Sequence, residues 1–539
     1  MSLYQTPAPI NEPVKSYAPG SPESLSLAKR LKEMQSEVIE IPLVIGGEHI
    51  FTGKTVDVTP PHNHQRVVAR CHQGDETHVD AAIAAAKTAA AAWADAPWDQ
   101  RAAVFLKAAD LLTGPWRDTL NAATMIGQSK NCFQAEIDSA CEMIDFFRFN
   151  ARYAQEIYEE QPASSPGCWN RVEQRPLEGF VFAVTPFNFT AIAGNLPSSP
   201  ALMGNTVVWK PASSATYSAY YLMKLLEEAG LPAGVINMVH GSGSQIGPAV
   251  IASPDLAGVH FTGSTPVFQG MWRDIGNNIE RYKSYPRICG ETGGKDFVFA
   301  HPSADPRVLS TALLRGSFEY QGQKCSAASR AYVPRSIFDE TMKILVDDIA
   351  TIKVGPVDDF SNYVNAVIDR KAFKSICEYI DFAKQADDCK IICGGEYDDS
   401  TGYFIQPTVI VTENTQFKTM CEEIFGPVLT VLPYDDDKMD EMLQICDSTS
   451  PYALTGSIIC KDRHEIVRMA HALKNAAGNF YINDKPSGAV VGQQPFGGGR
   501  ASGTNDKAGS KLNLLRWCSP RTIKETFVPA TDYRYPFMG

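Results

Sequence analysis

The chain has 539 residues, 44% of them hydrophobic and 20% charged, and a formal net charge of −12. That length exceeds what a single core fills, so at least two domains are expected, and the composition excludes a disordered or fibrous chain. The acidic surplus repels phosphate backbones and anionic lipids, which argues against nucleic acid or a membrane surface as main partner and leaves room for a local basic pocket.

Residues 1–40 start proline-rich and then turn helical, reading as an arm. No apolar signal core precedes Glu12 and Glu23, and the first arginine is Arg30. A cytoplasmic protein is therefore expected, with the mitochondrial matrix as the alternative if a transit peptide has been removed. His62 and His64 fall in a polar loop and carry no expected chemistry. The alanine-rich run 76–95 predicts a helix, and the patterns over 99–112 and 133–160 predict amphipathic ones. From Gly179 to Trp209 there is no charged residue. Pro186, Pro197, Pro200 and three asparagines interrupt that stretch, so buried strand and loop material is expected there rather than a membrane span.

Strands are predicted at 179–185, 205–211, 234–240 and 257–263, with helices at 217–229, 245–252 and from about 266. This alternation implies right-handed crossovers and a doubly wound parallel sheet. GSGSQIG (241–247) follows a strand and opens a helix, but its spacing is one residue too long for the G-x-G-x-x-G phosphate cradle. The alternation breaks at GETGGKD (290–296), where a domain boundary is placed, and resumes to Tyr481. Asp435, Asp436 and Asp437 read as a solvated helix start. The thirteen cysteines are odd in number and irregular in spacing, which suits free thiols in a reducing compartment. Cys389 and Cys393 lack a second pair at ligand spacing, so no metal site is expected.

The chemistry concentrates in three short segments. EYQGQKCSAASR (319–330) places Cys325 among small residues at a tight, accessible turn after a predicted helix. Such a thiol becomes a nucleophile when nearby amides or positive charge stabilise its thiolate. GETGGKD places Glu291 at a strand end before two glycines that permit close backbone approach. PFNF (186–189) places Asn188 just past a buried strand. A thiol, a carboxylate base and an amide donor are the parts needed for covalent acyl chemistry.

With these segments go VVWKP, FTGS (261–264), EEIFGPV (422–428) and QPFGG (494–498), all in order. On these motifs, from about residue 40 to 525, the sequence resembles the NAD(P)-dependent aldehyde dehydrogenase superfamily. AEIDSACEMIDFFRFNARYA (135–154), FEYQGQKCSA (318–327) and above all NAAGNFYINDKPSGAVVGQQPFGGGRASGTNDKAG (475–509) resemble its delta-1-pyrroline-5-carboxylate dehydrogenase branch. The resemblance implies a Rossmann-like NAD-binding domain (41–162 and 181–290) and an α/β catalytic domain (291–500). It also implies a β-hairpin and tail (163–180 and 501–539) that bridge subunits of a homo-oligomer, a dimer or a multiple of it.

The same resemblance assigns roles. Cys325 attacks the aldehyde, Asn188 and the Cys325 amide hold the oxyanion, and Glu291 activates water. Lys210 and Ser213 meet the adenosine ribose, Gly247 admits the adenine end, Ser264 meets the pyrophosphate, and Glu423 with Phe425 positions the nicotinamide. Ser213 replaces a carboxylate common among relatives, so a 2′-phosphate is not electrostatically excluded, although NAD is the expected cofactor. Ser326 with the amides of Gly488 and Ala489 anchors a substrate carboxylate, with one donor fewer than where serine stands at the Ala489 position. Phe189 and Phe496 flank the aliphatic chain, and Glu142 lies near the aldehyde. The expected substrate is thus a small aldehyde, L-glutamate gamma-semialdehyde; another small aldehyde and a non-catalytic relative are the alternatives.

Overall fold

The computed structural model describes residues 4–539. Two seven-stranded sheets organise it. In the first, the spatial order is Arg287–Glu291, Leu256–Thr262, Phe180–Val184, Thr206–Lys210, Ile236–Met238, Leu43–Ile45, Glu48–Ile50. The first five pair in parallel, and the last two join antiparallel. Thr206–Lys210 and Leu256–Thr262 are buried along their whole length, as a sheet covered on both faces requires. The parallel part of the sheet starts at Phe180–Val184, builds outward through Thr206–Lys210 and Ile236–Met238, then returns to the other side at Leu256–Thr262. That reversal opens a crevice beyond the carboxyl ends of Phe180–Val184 and Leu256–Thr262, where doubly wound sheets bind ligands.

The second sheet runs Cys389–Cys393, Thr408–Thr412, Val428–Tyr434, Ala328–Pro334, Asp296–Ala300, Thr455–Ile459, Asn479–Ile482. It is parallel except at the Cys389–Cys393 edge. Only residues 292–295 separate Arg287–Glu291, at the edge of the first sheet, from Asp296–Ala300, inside the second. Side chains at that crossing therefore face both sheets.

Three elements differ from the sequence reading. The charge-free stretch holds a helix, Thr190–Leu202, with Pro197 and Pro200 inside it. Each interior proline costs about 3 kcal/mol of helix propensity, but twelve of the thirteen residues are buried, and tertiary packing decides. The Leu196 carbonyl, which Pro200 leaves without its helical donor, pairs with His260 Nδ1 at 2.9 Å, and at the helix end Trp93 Nε1 donates to Ala201 at 2.8 Å and Arg101 Nε to Leu202 at 3.1 Å.

The expected hairpin at 163–180 supplies a single strand, Cys168–Arg175. Its partner is the tail strand Ser519–Thr526, antiparallel over eight residues. Only residues 176–179 intervene before Phe180 enters the first sheet, which leaves no length for a returning strand.

Third, the helix expected over 133–160 contains a π-helical stretch, Glu136–Cys141, before Glu142–Glu159. A further helix, Arg117–Gln128, had no prediction. No helix among the described residues is long and apolar enough to cross a membrane, and no group of metal-ligating side chains is found among them.

Candidate active site

Cys325 follows an unusual piece of backbone. After the helix Pro306–Phe318, Tyr320 (φ 51°), Gln321 (φ 57°) and Gly322 (φ 66°) are consecutively left-handed. For Tyr320 and Gln321 this costs roughly 1–2 kcal/mol each, so the surroundings must impose it. Buried polar contacts do so. Tyr320 OH donates to the Gln128 carbonyl at 2.9 Å, and Gln321 Nε2 donates to Ser129 and Ala366 at 3.0 and 2.9 Å. Gln321 and Gln323 accept from the backbone of Asn365 and Ile368. A Cβ on Gly322 would press into the Gly426 carbonyl. The nucleophile candidate is thus held by a loop with little freedom.

Cys325 is 7% exposed and lines a cavity, so the expected accessible turn is reached only through that cavity. Cys325 Sγ donates to Glu291 Oε1 at 3.3 Å. Burial pushes the Glu291 carboxyl up to about 7. Burial, followed by the negative charges of Glu291 and Asp296, holds the Cys325 thiol well above its ordinary value. Burial and carboxylates, not the positive charge the sequence reading looked for, are the largest influences on the thiol. The resting pair is a protonated thiol beside a base that titrates near neutrality, which can take the sulfur's proton as substrate arrives.

Asn188 Nδ2 donates to the Gln323 carbonyl at 3.1 Å, two residues before Cys325. One of its two N–H bonds is thereby committed to fixing the amide, and the other remains for an oxyanion. Gly293 and Gly294 bear out the close-approach reading. A Cβ on Gly293 would press into the Glu423 carboxylate, and one on Gly294 into the Cys325 carbonyl.

The same cavity is lined by Glu142, Phe189, Ser326, Gly488, Ala489 and Phe496. Eight predicted residues from five separated segments thus converge once Cys325 and Glu291 are counted. The N–H groups of Gly488 and Ala489 meet no protein acceptor among the described residues. Lys485 lies beside this loop, donating to the Ser487 carbonyl at 3.0 Å. Glu142 immediately follows the π-helical stretch; burial and then Asp138 push its carboxyl well above the carboxylate range, toward the neutral acid.

Sequence reasoning missed the buried charges behind this wall. Lys130 pairs with Asp138, and its ammonium lies 4.4 Å from the Phe189 ring and 3.9 Å from the Tyr320 ring. Lys324 pairs with Glu319 at 3.2 Å. Asp138, Lys324 and Lys507 reach the cavity. Asp138 and Lys324 sit inside the quoted segments 135–154 and 319–330, but nothing in a pattern of single residues shows which way they point.

The crevice of the first sheet carries the other set. Lys210 ends its strand buried, and among the described residues its ammonium has only the Pro211 carbonyl, at 3.3 Å. A Cβ on Gly247 would meet nothing within 4 Å. Ser264 opens the helix Thr265–Asn277 without a side-chain cap, leaving amides directed outward. Ser213 is exposed at the start of a short 3₁₀ turn. Glu423 accepts from Gly294 N at 2.8 Å, and Phe425, left-handed at φ 57°, sets its ring edge-on to Phe187. A poorly satisfied buried cation, open space, outward amides and a fixed carboxylate are features a dinucleotide would fit.

The Aldehyde dehydrogenase family model matches residues 51–523. The chain belongs to the aldehyde dehydrogenase family. A mitochondrial delta-1-pyrroline-5-carboxylate dehydrogenase of Dictyostelium discoideum is 52% identical over 99% of this chain and 96% of its own length. A delta-1-pyrroline-5-carboxylate dehydrogenase of Agaricus bisporus is 51% identical over 99% and 98%. Among solved structures, the Mycobacterium tuberculosis delta-pyrroline-5-carboxylate dehydrogenase bound with NAD superposes with a TM-score of 0.97. It is 53% identical, covering 100% of this chain and 99% of its own. The α/β architecture of a Rossmann-like unit beside a second α/β unit is therefore that of the family.

Proposed function

We propose that the chain oxidises L-glutamate gamma-semialdehyde, the open form of 1-pyrroline-5-carboxylate, to L-glutamate with NAD, the second step of proline catabolism. The observation that carries this reading is the cavity itself. It joins the Cys325–Glu291 pair to a carboxylate anchor of the Ser326 hydroxyl and two free amides, at Gly488 and Ala489. An uncharged aldehyde has no use for that anchor. Lys485, beside it, adds positive potential for the same carboxylate.

In this mechanism Glu291 takes the thiol proton as sulfur bonds to the aldehyde carbon. The free N–H of Asn188 and the Cys325 amide hold the oxygen as it becomes an oxyanion, donors of a kind commonly worth about 3 kcal/mol. NAD supplies the hydride acceptor, held by Lys210, Ser213, Gly247, Ser264, Glu423 and Phe425. Loss of hydride leaves an acyl thioester on Cys325. Glu291 gives up that first proton to solvent and then removes one from water, the hydroxyl adds to the thioester carbon, and the sulfur departs and takes its proton back from Glu291. Phe189 and Phe496 enclose the aliphatic carbons.

Residues 41–162 and 181–290 form the cofactor-binding unit in this reading, and 291–500 the catalytic one. The ribbon of Cys168–Arg175 and Ser519–Thr526 exposes Trp169 and Phe527. These apolar side chains support a homo-oligomer joined through the ribbon and tail. All thirteen cysteines are free, which supports a reducing compartment, the cytoplasm or the mitochondrial matrix.

Steady-state rates with NAD across five-carbon aldehydes, with and without an α-carboxylate, test the substrate. A higher kcat/KM for the carboxylate-bearing aldehydes supports the proposal, and a preference for the uncharged ones ends it. Ser326→Ala is expected to raise KM for glutamate semialdehyde by about 10- to 150-fold, the loss of one hydrogen bond to a charged group, and to leave KM for pentanal unchanged.

A further inference from the structure

The amino-terminal arm reaches the anchoring loop through one side chain. Residues 6–17 lie against Arg117, the π-helical stretch and the helix Glu142–Glu159. Thr6 donates twice to Gln155, at 2.7 and 2.8 Å. Glu12 N donates to Asp145 Oδ1 at 2.7 Å, and Arg117 pairs with Glu12 and Glu136. Tyr17 OH donates to Glu136 at 2.9 Å. These contacts fix the arm to the side of the cavity that carries Glu142.

Asn11 spans from there to the loop. Its Nδ2 donates to Asp145 Oδ2 and to the Val491 carbonyl, both at 2.8 Å, and its Oδ1 accepts from Gln493 Nε2 at 2.9 Å. Val491 lines the cavity. The loop is a small closed unit, in which Val490 O accepts from the amides of Gln493 and Gln494 and Val490 N donates to Gln494 Oε1. Gly488 and Ala489, whose amides form the carboxylate anchor, immediately precede it. No strand or helix fixes residues 483–498, so their position depends on such tethers and on packing. Gly492 closes onto the Phe149 ring, where a Cβ would not fit.

We infer that Asn11 is a positioning residue for substrate specificity, holding the loop that binds the α-carboxylate at the distance the cavity requires. This rests on the substrate reading above. The amide is suited to it because one side chain satisfies a carboxylate on one element and both a carbonyl and a donor on another. A serine or alanine would leave the Val491 carbonyl and the Gln493 amide without their partner.

The test is steady-state kinetics of the full chain with saturating NAD, using glutamate semialdehyde and pentanal as paired substrates. Asn11→Ala is expected to raise KM for glutamate semialdehyde by about 3- to 10-fold, the worth of one or two neutral hydrogen bonds. Its kcat with that substrate, and both constants for pentanal, stay at the parent's values. Gln493→Ala, a change at an exposed side chain that leaves folding intact, shifts the same KM in the same direction by less. The double variant is no worse than Asn11→Ala, because both remove one linkage. Equal changes for the two aldehydes, or no change for either in both single variants, would overturn the inference. A parent enzyme with no preference between the aldehydes would instead refute the substrate assignment, so the two failures are distinguishable.

Discussion

Replacing Cys325 by alanine is expected to lower kcat/KM by at least about 10⁴-fold, the scale seen when a covalent nucleophile is removed. Binding of NAD should survive, since the residues assigned to it lie on the first sheet's crevice and on the Glu423–Phe425 turn. The prediction is sharp because a second thiol lines the same cavity. Cys289 is buried, and its sulfur accepts from Arg516 Nε at 3.3 Å. Burial, followed by the charge of Asp506, pushes its thiol up to about 12. The carboxylate beside it, Asp506, is itself paired with Arg516 at 3.4 Å, whereas Cys325 is hydrogen-bonded to Glu291. Retention of even a hundredth of the parent rate in Cys325→Ala, measured as reduced cofactor formed per second, would mean that Cys289 or another group does the chemistry.

Glu291→Gln carries the second large effect, a fall in kcat of about 10²- to 10⁴-fold, the usual contribution of a positioned general base. Glutamine keeps the shape and an acceptor oxygen for the thiol, so the loss measures proton transfer rather than packing. The parent's pH dependence gives the companion result. The basic form of Glu291 is populated above a pKa of about 7 and lost below it. Activity should therefore rise with pH through neutrality and fall as the solution is acidified. In Glu291→Gln the residual rate should lose that limb. A limb of the same midpoint in the variant would assign it to another group.

Much of the fold was legible because its signals are local. Buried parallel strands read as short apolar runs, and the helices between them as periodic ones, so the strand at 205–211 and the helix at 217–229 fall where the pattern puts them. The misreadings all have tertiary causes. Pro197 and Pro200 argue against a helix in any local scheme, and Thr190–Leu202 forms because almost every residue in it is enclosed. The ribbon partner of Cys168–Arg175 lies some 350 residues away in the chain, a distance that no local pattern reports. The π-helical stretch is a change in hydrogen-bond register that turns Asp138 toward the cavity, and it leaves the residue types along the helix unchanged.

The site was legible in a different way. Cys325, Glu291 and Asn188 are chemically suggestive one by one, but their common purpose came from motif order and family resemblance. Their electrostatics ran opposite to expectation. From the sequence, Cys325 follows a lysine, which suggests an activated thiolate. In the fold Lys324 borders the cavity but is paired with Glu319, and burial with the carboxylates Glu291 and Asp296 dominates at the sulfur. Sequence adjacency alone could not say which neighbour a buried charge would meet. Asn11 lies 480 residues from Val491, in an arm whose composition suggests no role.

The covalent step can be tested directly in a single turnover of the parent enzyme, stopped by rapid acid quench before the thioester is hydrolysed. Enzyme is mixed with glutamate semialdehyde and NAD, quenched in acid, digested and weighed by mass spectrometry. One acyl group on the peptide containing Cys325 is expected for each reduced cofactor formed, and none when NAD is omitted. Reduced cofactor appearing while that peptide keeps its unmodified mass would contradict the account.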